Sequence, residues 1–363
     1  MRRRKPNLDQ LRELACFEPA LLRMPGISGD PRRRRYLTPA LRVVLFSGGP
    51  PAAPTNPAVV AGAGKVTITC TASAGATSYK IYRGTSSGNL SEIASGDTTV
   101  IGAGYQDTTA VTATTYYYAV SAVNAAGEGL KSSEVSIAYL DLTSLISYWK
   151  LEEASGSRAD SYGTNTLTDN NTVTQAVGKL GNCAQFTALN MEKLSIASNS
   201  GLIPGASSFT ITVWAYLDSK PTISRILSKD NGLAATSEYA LWYYGIDDRF
   251  RINVAFNGAS SIGLNANNFG IPSPSTWYFI IAWVDADADT LNISVNNGTA
   301  NSTALSSALN STSTEFDIGS DATGNYFDGR IDSAGFWKRV LTAAERTALY
   351  NSGSGRAITG TEP

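Results

Sequence analysis

The sequence predicts an all-β chain: two antiparallel sandwiches in series, with an extended basic arm in front of them. Three observations lead there. Apolar and polar residues alternate over short runs separated by Gly, Asn, Ser and Pro, the period-two pattern of half-buried strands. Charged residues make up only 16% of the 363 positions while glycine supplies 33, a composition suited to turn-rich β domains. A complete helix signature, with start and stop, closes the chain near its C-terminus.

A length of 363 residues exceeds one ordinary core. The expected division is a basic arm and linker over 1–50, a first sandwich over 51–140, a larger second one over 141–355, and a tail over 356–363. Residues 1–50 hold eleven Arg and Lys against four acids, whereas the remainder is net acidic, so a cationic arm precedes an acidic body. Its charge is concentrated in Arg2, Arg3, Arg4 and Lys5 and again in Arg32, Arg33, Arg34 and Arg35. Apolar residues between and beyond them (Phe17, Leu21, Leu22, Val43, Val44, Phe46) suit docking on an acidic protein better than loose nucleic-acid contact, and no aromatic residues are interleaved for base stacking. The alternative is a solvated tail.

The chain has no histidine, which removes the usual general base and the commonest transition-metal ligand. Cys16, Cys70 and Cys183 fall in three different segments, so no disulfide framework is expected. Met1-Arg-Arg-Arg-Lys is charged like the start of a leader, yet Pro-Asn-Leu-Asp-Gln-Leu-Arg-Glu follows, which is not an apolar core. The most apolar run, Tyr278 to Val284, has strand length, and no membrane span is expected.

After the linker Ser47-Gly-Gly-Pro-Pro-Ala-Ala-Pro, strands are predicted at Lys65-Val-Thr-Ile-Thr-Cys-Thr, Ser78-Tyr-Lys-Ile-Tyr-Arg and Thr115 to Asn124. The last of these puts Tyr116, Tyr118, Val120 and Ala122 on one face. On these residues the stretch 52–139 resembles a fibronectin type III domain. That resemblance implies an Ig-like sandwich serving as a spacer, Tyr116 as a corner tyrosine bonded to backbone, and Cys70 as a buried filler where the family usually has a tryptophan.

The second sandwich opens at Ser144-Leu-Ile-Ser-Tyr-Trp. Its central strand, Ser208 to Tyr216, puts Phe209, Ile211, Val213 and Ala215 on one face and Trp214 on the other; further strands are predicted at 226–229, 239–244, 249–256, 276–284, 290–295 and 315–319. The closing strand runs from Phe327 through Trp337, where strict alternation groups Ile331, Ser333, Gly335 and Trp337 against Asp332, Ala334 and Phe336. Thr342 and Glu345 then form a capping box, Leu349 and Tyr350 an apolar stripe, and Gly353 a stop. Asp328, Gly329, Ile331, Asp332, Trp337, Arg339, Leu341, Thr342 and Glu345 resemble the closing pattern of laminin-G-like, concanavalin A-like jelly rolls, and the resemblance extends over about 143–353. The family's fold hosts both lectins and enzymes.

The resemblance also implies one structural calcium ion, for which Asp160 and Asp332 are the candidate ligands; the alternative has Asp160 starting a turn and Asp332 pairing with Arg330 or Arg339. Asp285-Ala-Asp-Ala-Asp289 lacks the glycine and glutamate of a calcium loop and is expected to be a hairpin turn. Glycosidic catalysis needs two carboxylates facing each other across a groove; the clustered acidic strand of jelly-roll glycosidases is missing and Glu152-Glu153 point to opposite faces, so a non-catalytic protein is expected. Sugar rings stack on aromatic faces, which makes Trp242, Tyr243, Tyr244 and Tyr326 the candidate ligand-binding residues.

The expected function is that of a displayed structural or adhesion protein. Its arm would dock on a capsid or tail protein of a phage virion, or on another acidic protein, and its jelly roll would bind a glycan or a surface protein. It would act as a homo-oligomer or as part of a larger assembly, exposed at the virion surface. The alternatives are a bacterial surface or secreted extracellular carbohydrate-binding protein, and a polysaccharide-acting enzyme.

Overall fold

The computed structural model describes residues 48–233, 235–257 and 260–358. The arm residues Arg2, Arg3, Arg4, Lys5, Arg32, Arg33, Arg34 and Arg35 lie outside the described residues. Eight strands come first: β1 (Thr55–Gly62), β2 (Lys65–Thr71), β3 (Ser78–Ser86), β4 (Asn89–Asp97), β5 (Tyr105–Asp107), β6 (Thr114–Asn124), β7 (Gly127–Lys131) and β8 (Val135–Tyr139). They pair as β1-β2-β5 and β4-β3-β6-β7, with β8 also on β6. Val66, Ile68, Ile81, Tyr118, Val120 and Ala122 are fully buried between these two sheets, where the alternation of β2, β3 and β6 places them. Tyr116 accepts a hydrogen bond from Val111 N at 3.0 Å through its hydroxyl, as the corner reading requires. Cys70 is only half-buried, and burial pushes its thiol up to about 11, so it behaves as a small apolar side chain.

The second set begins with β9 (Leu145–Trp149), β10 (Thr168–Asn170), β11 (Thr174–Val177), β12 (Asn182–Phe186), β13 (Lys193–Ile196) and β14 (Phe209–Leu217). It continues with β15 (Ile223–Lys229), β16 (Tyr239–Tyr244), β17 (Arg249–Phe256), β18 (Ser260–Asn265), β19 (Trp277–Asp285) and β20 (Thr290–Val295). It ends with β21 (Asn301–Ala304), β22 (Phe316–Ile318), β23 (Gly329–Trp337) and helix α1 (Ala343–Tyr350). One sheet has the order β10-β13-β22-β15-β16-β17-β18; the other is β11-β12-β23-β14-β19-β20-β21, with β9 added on β23. Every pairing is antiparallel. Phe209, Ile211, Val213 and Ala215 fill the space between them, and Trp149 stacks on Phe316 with ring centroids 5.0 Å apart. The acidic run Asp285 to Asp289 is the β19–β20 hairpin turn, its amides at Asp287 and Ala288 donating to Asp285 Oδ1.

In the closing strand the structure departs from strict alternation. Ser333 has φ +53°, and the register slips there: Trp214 faces Asp332 while Thr212 faces Gly335. One extra residue in a strand reverses the face of everything after it. Ile331 therefore points into the inter-sheet core together with Ala334 and Phe336, and Asp332 faces outward with Trp337. Gly335 is required beside the indole, because a Cβ there would stand 2.6 Å from the Trp337 ring.

On that outer side α1 seals a second cluster containing Trp214, Phe279, Trp337, Leu341 and Leu349, with Tyr350 stacked over Trp214 at 6.1 Å. The capping box is present: Thr342 Oγ1 accepts from Glu345 N at 3.2 Å, and Thr342 N donates to Glu345 Oε2 at 2.8 Å. The left-handed stop falls on Asn351, ahead of Gly353. Glu345 is more than a cap. It takes both terminal nitrogens of Arg339 at 2.8 and 2.7 Å and a bond from Thr112 Oγ1 at 3.3 Å, so it ties the first sandwich to the second. Arg339 also donates to the carbonyls of Asp141 and Thr143, the chain between the sandwiches. Glu345→Ala leaves the guanidinium without its carboxylate and the Thr342 amide without the return half of the capping box, and should lower stability by roughly 2–4 kcal/mol in guanidinium denaturation. Glu345→Gln, which keeps the cap, should lose less.

Candidate functional site

The outward face of the seven-stranded sheet carries a row set by strand register. Arg225 pairs across with Trp242, Trp242 with Arg251, and Arg251 with Asn265. The Arg225 guanidinium lies 3.4 Å above the Trp242 ring, Trp242 and Tyr244 stack at 5.2 Å, and Arg251 sits 5.0 Å from Tyr244. Trp242 is 7% exposed. This ladder of cations and rings occupies the aromatic faces, so Trp242 has no open stacking face. Tyr243 has the opposite parity and fills the core, its hydroxyl donating to Asp248 Oδ1 at 2.8 Å; it does not reach the exposed face where a ligand would lie. Tyr326 is half-buried on the loop after β22 and does not line the groove beside Trp242.

That groove, of about 240 Å³, is lined chiefly by Arg225, Asp230, Ser237, Glu238, Trp242 and Asn253. Arg225 is its centre. Nε donates to Asp321 Oδ2 and Nη2 to Asp230 Oδ2, both at 2.7 Å, while Nη1, buried, has no partner among the described residues. Trp242 Nε1 is in the same condition. Burial raises the Asp321 carboxyl, but bonds from Thr323, Arg225 and Asn325 outweigh it and hold the group below the usual carboxylate range. At one end Lys229 and Glu238 form a fully buried pair at 3.0 Å. Glu238 Oε1 further accepts from Thr312 N and Oγ1, and Oε2 has no partner among the described residues. Sequence reading missed Arg225, Asp230, Glu238 and Asp321. The available signal was Arg225 beside the apolar pair Ile226 and Leu227 in a strand-length run, and the Asp321, Thr323, Asn325 spacing of a side-chain-braced turn.

Asp160 and Asp332, the expected calcium ligands, do not converge on a cation site. The Asp160 carboxylate accepts four backbone N–H groups, from Tyr148, Tyr162, Gly163 and Asn165 at 2.9–3.1 Å. Asp332 accepts from Lys179 N and Leu180 N through Oδ2 and from Ser333 Oγ through Oδ1. Lone pairs already aimed at donors do not fit a calcium shell of oxygens. No group of three or more His, Cys, Asp or Glu is assembled for a metal among the described residues. Nor does Asp332 pair with an arginine: Arg330 donates to Gln185 and lies over Tyr216, and Arg339 is committed to Glu345.

Residues 191–345 match the family model of the concanavalin A-like lectin/glucanases superfamily, of laminin-G type. That stretch is a concanavalin A-like jelly-roll domain. Similar solved structures include the binding domain of Paraclostridial Mosquitocidal Protein 1 (14% identity over 58% of this chain and 52% of that one, TM-score 0.48). Domain 4 of AbnA, a GH43 extracellular arabinanase from Geobacillus stearothermophilus in complex with arabinotriose, is similar at 17% identity over 58% of this chain and 98% of that one, TM-score 0.44. A Fn3-like protein from Clostridium thermocellum is 38% identical over 24% of this chain and 93% of that one, TM-score 0.23. The chain spans about half the length (52%) of the mosquitocidal binding domain. No curated protein matches it. No helix among the described residues is long and apolar enough to cross a membrane.

The jelly roll also buries two carboxyls under strain. Burial pushes Asp317, 1% exposed, up to about 7, and Asp332 up to about 6. Lys193 Nζ lies 3.1 Å from Asp317 Oδ1 without hydrogen-bond geometry and donates to Glu315 at 2.6 Å, so its charge only partly offsets the burial. Both folded values stand above those of the unfolded chain, near 4. The folded state therefore holds protons that the unfolded state has lost between about pH 4 and 7, and stability falls as pH rises through that window. Thermal unfolding should show a higher Tm at pH 5 than at pH 8. Asp317→Asn should stabilise the protein at pH 8 by about 1 kcal/mol or more and flatten the profile.

Proposed function

We propose that this chain is a non-catalytic, displayed adhesion protein whose jelly roll binds glycans in the groove beside Trp242. The observation that carries the reading is the pair of donors, Trp242 Nε1 and Arg225 Nη1, each on a side chain more than nine-tenths buried and each without a partner among the described residues. Buried polar atoms are normally satisfied, and a ligand or water that completes their bonds is one explanation for those that are not. A sugar hydroxyl is an acceptor of suitable size, and the surrounding Ser237, Ser261 and Asn253 add polar contacts of the same kind. Membership of residues 191–345 in a superfamily of lectins and glucanases supports a carbohydrate ligand.

The remaining parts follow from composition. The basic arm is a docking element for an acidic protein surface, and a phage virion is the assembly that best suits an anchored arm, a spacer and an exposed head. The first sandwich is bonded to the second through Glu345.

Two measurements test this. On a glycan array the full chain should bind, and Trp242→Phe, which keeps the ring under Arg225 but removes the N–H, should weaken that binding on the order of tenfold with an unchanged Tm. Removal of residues 1–46 should leave a folded protein that still binds glycan but no longer co-purifies with phage particles. Retention in the particles would exclude the arm as the anchor.

A further inference from the structure

We infer that the groove selects neutral saccharides and rejects acidic ones, with Asp230 as the specificity-determining residue. This deepens the glycan reading above and rests on it. The unpartnered atoms are of both kinds: Arg225 Nη1 and Trp242 Nε1 are donors, and Glu238 Oε2 is an acceptor. All three side chains line one groove. A ligand that satisfies them must accept at one end and donate at the other. A hydroxyl does both, and neighbouring hydroxyls on a sugar ring do so at two points; a carboxylate or sulfate ester accepts only.

The arginine looks at first like an anion receptor, but its fork is already closed. Strong recognition of a carboxylate uses two parallel N–H groups of one guanidinium. Here Nε is taken by Asp321 and Nη2 by Asp230, each at 2.7 Å, so Nη1 is the one guanidinium nitrogen without a partner among the described residues. The local charge points the same way. Arg225 lines the groove with Asp230 and Glu238, and Asp321 and Lys229 pair with Arg225 and Glu238, so the cluster carries one negative charge in surplus. Beyond the aromatic ladder, Arg251 has its own counter-charge in Asp247 at 3.7 Å. An acidic sugar entering this groove would give up its water to meet a like charge in a poorly screened setting.

The discrimination is built into the fold. Asp321 is 2% exposed and braced by Thr323 and Asn325, and Asp230 receives bonds from Gly232 N and from the Ser237 hydroxyl, so neither carboxylate is free to swing off the arginine.

The test uses the full chain on an array of neutral oligosaccharides, each paired with a counterpart bearing a carboxylate or sulfate. Binding of the neutral members, with at least tenfold weaker binding of their acidic counterparts, is expected. Equal or stronger binding of the acidic members overturns this inference while leaving the glycan reading intact; binding of neither kind overturns both. Asp230→Asn, which frees Nη2 and removes the surplus charge, should narrow the gap between neutral and acidic ligands at least threefold, with a melting profile confirming that the fold is kept. An unchanged ratio in a folded Asp230→Asn protein would show that Asp230 does not set the preference. Wild-type binding by Trp242→Phe would place the sugar elsewhere on the molecule and overturn the inference as well.

Discussion

The structure depends on one backbone irregularity, the extra residue at Ser333 in β23. This strand is hydrogen-bonded to β12 and β14 and, along its last residues, to β9, so it holds one sheet together from the middle. Without the slip, the residues that follow would put Trp337 into the inter-sheet space and Phe336 toward the helix. With it, Phe336 stacks on Phe209 at 5.7 Å inside the sandwich, and Trp337 lies outside, where α1 covers it. A left-handed serine costs something locally, but it lets one strand serve two hydrophobic clusters. Asp332, turned outward just before the slip, then closes the Gly178–Gly181 turn through the amides of Lys179 and Leu180.

The same closing segment explains why two sandwiches act as one body. Glu345 is fixed by the helix it caps, and Arg339 by the strand that precedes it. Their mutual bonds leave Arg339 free to hold the carbonyls of Asp141 and Thr143, and Glu345 to accept from Thr112. A charged pair with every lone pair used is a stiff connection, whereas an exposed one would contribute little. Asp141, in turn, accepts from Gly64 N at 2.7 Å, which brings the β1–β2 turn against the same joint.

Much of this was legible in the sequence, and the limits have physical causes. The parity of β14 and of β6 was read correctly because each is buried on at least one face over several residues, where alternation is enforced by packing. The capping box was read because it is a local pattern whose bonds span only three residues. Strands β10, β11 and β21 were not anticipated: they are short and half-exposed, and their polar residues leave no period to detect. The slip at Ser333 was missed because a bulge is a relation between two strands and has no signature in one of them. The groove was half legible. The aromatic residues drew attention to β16, but the atoms that define the site belong to Arg225, Asp230 and Asp321, which sequence separation hides and only the pairing of β15 with β16 and β22 brings together.

The energetics of the outer face bear on why such a groove exists at all. An arginine 5% exposed and an aspartate pushed by burial up to about 7 sit on the outer face of one sheet, and a lysine and a glutamate with no exposed side-chain surface pair at its edge. Each is dearly desolvated, and well-packed apolar residues of the same volume would generally hold the fold at least as well. The inner face of the same sheet, made of Leu227, Leu241, Tyr243, Phe250 and Ile252, shows that the strands accept such packing. Stability therefore does not account for the polar choice on the other side, and still less for donors and an acceptor left open once the ion pairs are formed. What those atoms supply is orientation. Arg225 is locked by two carboxylates over the Trp242 ring, so its unpartnered nitrogen Nη1 is fixed in place before any ligand arrives, and a fixed donor loses little freedom when a hydroxyl meets it.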